Sequence, residues 1–494
     1  MFKSDDIAHM RHHFDLTNYN TVAKRASEIY VAVKTGRMPP ESHGGPWPQS
    51  KIDTFYNWIV DGTPRGTWFD RSPTVIRRKP KLRVRKDVRD LTPGEEYRLI
   101  QAFMGLMDRD AKNINDPQCY FQLAGIHGVP QSYCVHHQPK YNAWHRAYLY
   151  VFENALRSVE GCESVTIPYW DFSDGMPALL EREPFSHYTF PQDVADGDGK
   201  VLGKKDESTQ RFDNDKIGEN YRDVMPHLQK AAGQLEWDHF HGGFAFDHTP
   251  FDTFIQAHDK GHDSVGPTMG NQEIASFDPI FYFFHANLDR LYWDWQKSVH
   301  ATDKNSLLSV IESEASRVVF SDPKLGQILP WTQDYKISVV DTIDSAGSLG
   351  VDYDAPASEQ FLRMLDTSGS RFLGKTCSKT EVDSKFMVRT DSVNVRVKNV
   401  NRMKIPGSFK VHLMRDGVKL GSRAFFQPNN AERCPNCVEN PLVHFDFELP
   451  IDKVKGGKLS FWVEPSNKEK YGDRIPSDVI GRPTVNVRLL LDQE

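Results

Sequence analysis

The hydrophobic pattern divides the chain into a long helical part and a shorter alternating part. From about residue 90 to Gln296, apolar residues recur at helical intervals between polar loops. Leu91-Thr92-Pro93-Gly94-Glu95 is a helix start: Thr92 caps, Pro93 suits the first turn, and Glu95 completes a capping box. That helix runs on through EYRLIQAFMGLM. In AWHRAYLYVFENAL, Trp144, Tyr148, Phe152 and Leu156 form one apolar stripe, and His285 opens a further helix, HANLDRLYWDWQ. The stretch EREPFSHYTFPQDVADGDGKVLGKKDESTQRFDND has no period and reads as an irregular surface excursion.

Upstream, residues 1 to about 70 are also helical in pattern. GRMPPESHGGPWPQ interrupts them, and KIDTFYNWIVDG restarts a helix with Ile52, Phe55, Trp58 and Ile59 on one face. This predicts a helical pair packed on the main domain. After about residue 355 the pattern changes. Residues 355–385 are polar and turn-rich, a linker. Then come FMVRT, VNVRVKNV, SFKVHLM, LVHFDFEL, KLSFWVE and TVNVRLLL, short alternating segments that predict an antiparallel sandwich or barrel. Four regions follow: 1–87, a helical extension with a basic linker; 88–354, a helical domain; 355–385, the linker; and 386–494, a β-domain.

Composition narrows the function classes. The 494 residues exceed one ordinary domain, and 38% hydrophobic with 26% charged residues fits a soluble globular protein. A net charge of −6 argues against nucleic acid as a partner. The one basic run, RRKPKLRVRK (Arg77 to Lys86), reads as a solvated linker or strand. No apolar run approaches the roughly 20 residues of a membrane helix, and MFKSDDIAHM is unlike a signal peptide. Six cysteines are too sparse for a disulfide scaffold. A cytoplasmic location is expected, with no membrane partner.

The candidate chemistry lies in two sets of three histidines. His127, His136 and His145 fall within 19 residues in aromatic surroundings. His258 and His262 stand at i and i+4, sharing one helix face, and His285 follows 23 residues later. One buried histidine is usually a satisfied core residue, but two sets of three point to two metals held by facing helices. His258-Asp259-Lys260-Gly261-His262 lacks the glutamate of a zinc-hydrolase HExxH. Three-histidine zinc stays open for one site, although it does not explain two matched sets. Three imidazoles per ion would leave each of two copper ions open to dioxygen. Trp144, Tyr148, Phe281, Phe283 and Phe284 would supply a dry wall. Cys134 lies two residues before His136, near enough to orient it, and His137 competes with His136 as the ligand.

With QLAGIHGVP, CVH, WHRAYLYVFE, IPYWDF, HDKGH and DPIFYFFHANLDRLYWDWQ in order, the chain resembles the type-3 copper proteins: tyrosinases, catechol (polyphenol) oxidases and mollusc-type haemocyanin units. The resemblance spans residues 88–354. It implies a four-helix bundle around two copper ions, CuA on His127, His136 and His145, and CuB on His258, His262 and His285. It also implies a thioether between Cys134 and His136, in the fungal and haemocyanin pattern. The C-terminal part resembles the β-domain that covers the site in latent proenzymes, and SLGVDY the tyrosine motif that closes the core domain. CPNC resembles a CxxC linked to copper loading; Cys434 and Cys437 would suit Cu(I), with a disulfide or half a zinc site as alternatives. A copper chaperone and a homo-oligomer are the further partners this brings in. Phe425 and Phe426, expected in a loop, fall where such proteins place an aromatic plug.

The implied function is oxidation of o-diphenols, with monophenols or o-aminophenols as further substrates, to quinones by dioxygen. Oxygen carriage without turnover is the alternative. Three positions depart from the family pattern. Phe284 replaces a histidine before the last ligand. Asp259 replaces an asparagine after His258, with no glutamate in FDTFIQA before it. Asp263 follows His262. Diphenol oxidation is therefore expected more firmly than monophenol hydroxylation. Asp259 is the candidate base, and Asp259 and Asp263 are expected to flank the entrance and favour amine-bearing phenols.

Overall fold

The structure, a computed structural model, describes residues 82–242 except 131, then 253–331, 337–354 and 392–489, together with most of 7–60. The expected linker at 355–385, the segment FMVRT and the first residues of the basic run lie outside the described residues.

The chain forms two compact units, residues 1–78 with 328–337, and residues 79–327 with 338–494. In the first, helices Tyr19–Lys24, Ala26–Lys34 and Gln49–Val60 bury Leu16, Val22, Ile29, Val33, Trp47, Ile52 and Phe55. Phe55 stacks on Trp58 at 5.4 Å, as the helical spacing of KIDTFYNWIVDG predicts.

The second unit begins with a strand rather than a linker. β1 (Arg83–Arg85) pairs in parallel with β2 (Val351–Tyr353), which joins the two ends of the helical region. The expected boundary at residue 87 therefore falls nearer 78. Arg85 is 1% exposed, not solvated. It pairs with Glu153 at 3.0 Å and Asp289 at 3.4 Å. Arg146 reaches the other oxygen of Asp289 at 2.6 Å, and the Tyr353 hydroxyl donates to Asp289 at 2.6 Å.

Four helices form the centre: α1 (Pro93–Lys112), α2 (Tyr141–Arg157), α3 (Phe254–Val265) and α4 (Ile280–Ser298). The Thr92–Glu95 capping box forms at the start of α1, where the Glu95 carboxylate accepts from the Thr92 N–H at 2.9 Å. α4 begins five residues before His285. Asp278 accepts the Ile280 N–H at 3.1 Å, so the aromatic run 281–284 is already helical. The excursion at 181–215 is only partly surface. It carries a small hairpin, Val194–Ala195 with Val201–Gly203. It also sends Phe185, Tyr188 and Phe190 into the core, where Tyr188 donates to Asp110 at 2.7 Å.

The C-terminal region is two three-stranded antiparallel sheets, not a closed barrel. They contain β3 (Ser392–Asn401), β4 (Phe409–Arg415), β5 (Val418–Phe425), β6 (Leu442–Pro450), β7 (Leu459–Pro465) and β8 (Thr484–Leu489), in the orders β8-β3-β6 and β5-β4-β7. Alternation places Val393, Val395, Val397, Phe445, Phe447, Val411, Leu413 and Val463 inside. Alternation alone misses β5, because Gly421 and the buried Arg423 occupy positions where the pattern needs apolar residues. The hairpin signal is the Asp416-Gly417 turn, both residues at positive φ (49° and 84°).

Candidate metal centre

Six imidazoles meet among the four helices. His127 lies two residues beyond the short helix Tyr120–Gly125, and His136 lies in the loop before α2. His145 is on α2, His258 and His262 are on α3, and His285 is on α4. All are at most 4% exposed. Ligand nitrogens of His127, His136 and His145 lie within 4.8 Å of one another, as do those of His145, His258 and His285. His262 Nε2 is 3.1 Å from His285 Nε2. His145 and His285 stack at 4.4 Å and 4°, so the two sets read from the sequence face each other in one cage.

Backbone and side-chain acceptors fix the rings. Nδ1 of His127 meets the Gln272 carbonyl at 2.9 Å, that of His145 the Tyr141 carbonyl at 2.9 Å, and that of His262 the Met269 carbonyl at 2.9 Å. Nδ1 of His258 meets Asp259 Oδ1 at 2.8 Å. Each acceptor holds a proton on Nδ1 and leaves Nε2 with its lone pair. The Nε2 atoms of His127, His145 and His258 are buried without a hydrogen-bond partner, an arrangement that costs free energy unless an ion takes the lone pair. Burial lowers the pKa of all six, His127 to about 3 and the others well below the usual range. Neutral imidazole is the ligand form, so the donor set fits two soft-to-borderline metal ions of the copper type.

Cys134 Sγ is 3.3 Å from His136 Nδ1 and accepts from Gln272 Nε2 at 2.9 Å. His137 turns the other way, at φ 62°, and its Nε2 meets Asp259 Oδ2 at 2.8 Å. His136, not His137, therefore faces the cage. Phe284 sits 5.0 Å from the His262 ring. Its ring occupies the space where a Cβ on Gly261 would be, 2.5 Å away, so the glycine between the two α3 ligands is what admits the phenylalanine.

Asp259 does not flank an entrance. It is 1% exposed, and its second oxygen also accepts the Phe426 N–H at 3.1 Å. Burial pushes its carboxyl well above the usual range, against the pull of that N–H and of Arg402. Bound to His258, His137 and the Phe426 amide, it positions a ligand and does not face the cage as a base. Asp263 alone stands at the edge, half-exposed and 2.8 Å from Lys410 of β4. Both line a 480 Å³ cleft with Asn271 and Glu464.

Of the two expected plug residues, only Phe426 enters the cage. Its ring stacks on His262 at 4.1 Å and 19°, and lies edge-on to His136 at 5.0 Å and His258 at 5.5 Å. Phe425 ends β5 instead of lying in a loop, and packs on His137, Phe409 and Phe445. Cys434 and Cys437 form a disulfide; thiolates for Cu(I) exist only in the reduced form.

Gln272, Met269 and Arg402 escape sequence reasoning. A backbone carbonyl carries no residue signal, so the loop that anchors His127 and His262 is silent. One steric signal exists: Gly128 next to His127. A Cβ there would lie 2.4 Å from Glu273 Cα, so the glycine lets this loop approach.

Residues 117–298 match the family model described as the common central domain of tyrosinase. The chain is 25% identical over 305 residues to a tyrosinase of Podospora anserina, covering 45% of this chain and 53% of that protein. It is 28% identical over 307 residues to haemocyanin type 2 unit e of Rapana venosa, covering 55% and 68%. It is 26% identical over 231 residues to a G-type haemocyanin of Enteroctopus dofleini, covering 44% of this chain but 7% of that protein. The match thus spans about half of the Podospora protein and a small part of the Enteroctopus one. Among solved structures, a tyrosinase from Burkholderia thailandensis superposes with TM-score 0.60 at 19% identity, over 82% of this chain and 100% of that one. An oxygen-bound mutant pro-tyrosinase of Aspergillus oryzae gives 0.57 at 16% identity, over 85% and 96%. These two share the fold.

Proposed function

We propose that this chain, whose helical domain belongs to the tyrosinase family of type-3 copper proteins, is a latent oxidase of o-diphenols rather than an oxygen carrier. His127, His136 and His145 would hold one copper ion, and His258, His262 and His285 the other. When bound, the pair would supply dioxygen binding and two-electron oxidation. The observation that carries the reading is the Phe426 ring, stacked flat on His262 inside the cage. The site has the width for one planar six-membered ring against the second ligand set, which a phenol requires and dioxygen alone does not.

The protein's part is positioning. The walls of Phe281, Phe284 and Tyr141 exclude water, since all are buried. His262, held by the Met269 carbonyl, offers a flat face for stacking. Asp259 is engaged on both oxygens, so its carboxylate is not free to take a monophenol proton. Diphenol oxidation is accordingly fast and monophenol hydroxylation slow. The Cys134–His136 thioether is part of the same proposal, supported by their 3.3 Å approach and tested by intact-peptide mass.

Two coppers per chain, with quinone formation from catechol after limited proteolysis, are the expected results. Reversible oxygen binding without quinone would turn the reading to a carrier. Asp263 further favours an ammonium group on the substrate once Lys410 leaves it. Dopamine should be turned over faster than dihydroxyphenylpropionate, and Asp263→Asn should level the two. An equal rate in the unmodified protein removes that role.

A further inference from the structure

Cys434 and Cys437 close a disulfide at the start of the short helix Pro435–Glu439. Cys437 is fully buried, whereas Cys434 is partly exposed. Against Cys437 lies Arg402, 1% exposed, its Nη2 2.8 Å from the sulfur. Arg402 makes no ion pair among the described residues, and its Nη1 is buried without a hydrogen-bond partner. Its other holds lie on either side of the plug. Nε donates to Gln427 at 3.1 Å, and the guanidinium lies over the Phe425 ring at 4.7 Å. Gln427 is fixed in turn by the Ile405 carbonyl at 2.8 Å. The residue between them, Phe426, is the one in the copper cage.

A buried cation with no carboxylate in direct contact is costly even with Asp259 attracting it from a distance, and a disulfide sulfur is a weak neutral acceptor for it. A thiolate in the same place is a full counter-ion. Cationic neighbours lower thiol pKa, and a stabilised reduced form makes a disulfide more oxidising. We propose that Cys434–Cys437 is a reducible latch: Arg402 stabilises the Cys437 thiolate, and the charge it finds there weakens its grip on Phe425 and Gln427, and so on the plug. The inference rests on the plug contact alone, and holds whether the site oxidises phenols or only binds dioxygen.

The step balances with a cellular thiol as reductant. Its thiolate attacks the accessible Cys434 sulfur, the S–S bond breaks, and Cys437 leaves as a thiolate beside Arg402. A second thiol resolves the mixed disulfide. Two thiols become one disulfide, Cys434 ends as a thiol, and two electrons pass to the protein.

The test uses the full chain loaded with copper(I) under argon, in glutathione buffers of graded reduced-to-oxidised ratio. Acid quenching, alkylation and mass spectrometry then count the Cys434 and Cys437 thiols. Arg402→Gln is expected to make the disulfide at least tenfold harder to reduce, about 30 mV for a two-electron couple, and Arg402→Lys to keep most of the wild-type value. Hydrogen exchange in the unmodified protein should quicken across 402–427 on reduction. Equal reduction equilibria in wild type and Arg402→Gln, or exchange across 402–427 unaltered by redox state, overturns the proposal. Should Arg402→Gln fail to fold, the exchange comparison on the unmodified protein decides it.

Discussion

The loop that anchors the first ligand gives the sharpest quantitative test. Gly128 has no Cβ, and one added there would lie 2.4 Å from both Glu273 Cα and the Glu273 carbonyl oxygen. Both are backbone atoms, so no side chain can swing aside. Ordinary contact begins at 3.4 Å, which requires a retreat of about 1 Å. Gln272 moves with Glu273, and its carbonyl now holds His127 Nδ1 at 2.9 Å; the same retreat stretches that contact to about 3.9 Å, beyond hydrogen-bond range. An imidazole N–H left buried and unpaired costs ~1–3 kcal/mol. Loss of a group that orients a metal-bound histidine typically costs 10–100-fold in metal affinity, about the same free energy. Gly128→Ala should therefore release one of two coppers about 10–100-fold faster to a Cu(I) chelator. Gln272→Ala, which keeps the carbonyl, should stay within severalfold of wild type. Wild-type release rates and an unchanged Tm in Gly128→Ala would show that His127 is not held by that carbonyl.

Phe426→Ala should let the intact chain oxidise catechol at the rate of the proteolysed form, at a cost of ~3–5 kcal/mol in stability; a fast proteolysed form beside an unchanged intact variant would acquit the ring. Arg146→Met leaves Asp289, 6% exposed, with the longer 3.4 Å pairing to Arg85 as its one remaining ion pair among the described residues, beside the Tyr353 hydroxyl, and should lower stability by ~3–5 kcal/mol in a denaturant titration; a smaller loss than ~1 kcal/mol would mean that Arg85 and Tyr353 suffice. The buried imidazoles titrate below their unfolded value of 6.5, His127 near 3, so between these limits the unfolded chain binds more protons. Metal-free protein should then be most stable above pH 6.5 and lose stability as pH falls towards 3. Glu273 and Glu236, each raised to about 7 by burial, and Asp259, raised well above the usual range, oppose this but are outnumbered by the six imidazoles, so a metal-free Tm that rises on acidification from pH 6.5 to 5 would contradict the neutral cage.

What the sequence makes legible depends on whether a side chain does the work. All six imidazoles, the Thr92 cap and the Phe426 ring act through their own atoms, and spacing or neighbouring motifs point to each. Arg85 and Asp259 mislead for the opposite reason. A basic run reads as solvated, yet Arg85 is drawn inside by Glu153 from α2 and Asp289 from α4, partners 68 and 204 residues away. Asp259 sits beside a ligand, so it reads as a base at the mouth. Its chemistry is set instead by His137 and by an amide 167 residues later. That second contact joins the two halves of the fold. The carboxylate that orients His258 also receives the backbone of the plug. The same Arg402 that pulls on this carboxylate grips the residues on either side of Phe426. Burial lowers the Arg402 pKa to about 9, and Asp259 opposes that fall; this influence acts only while the β-domain is in place. Removing that domain withdraws both the Phe426 amide and the cation from Asp259. The orientation of His258 in the open site then rests on His137 and Asp259, so covering the site and orienting a candidate metal ligand are one physical event rather than two.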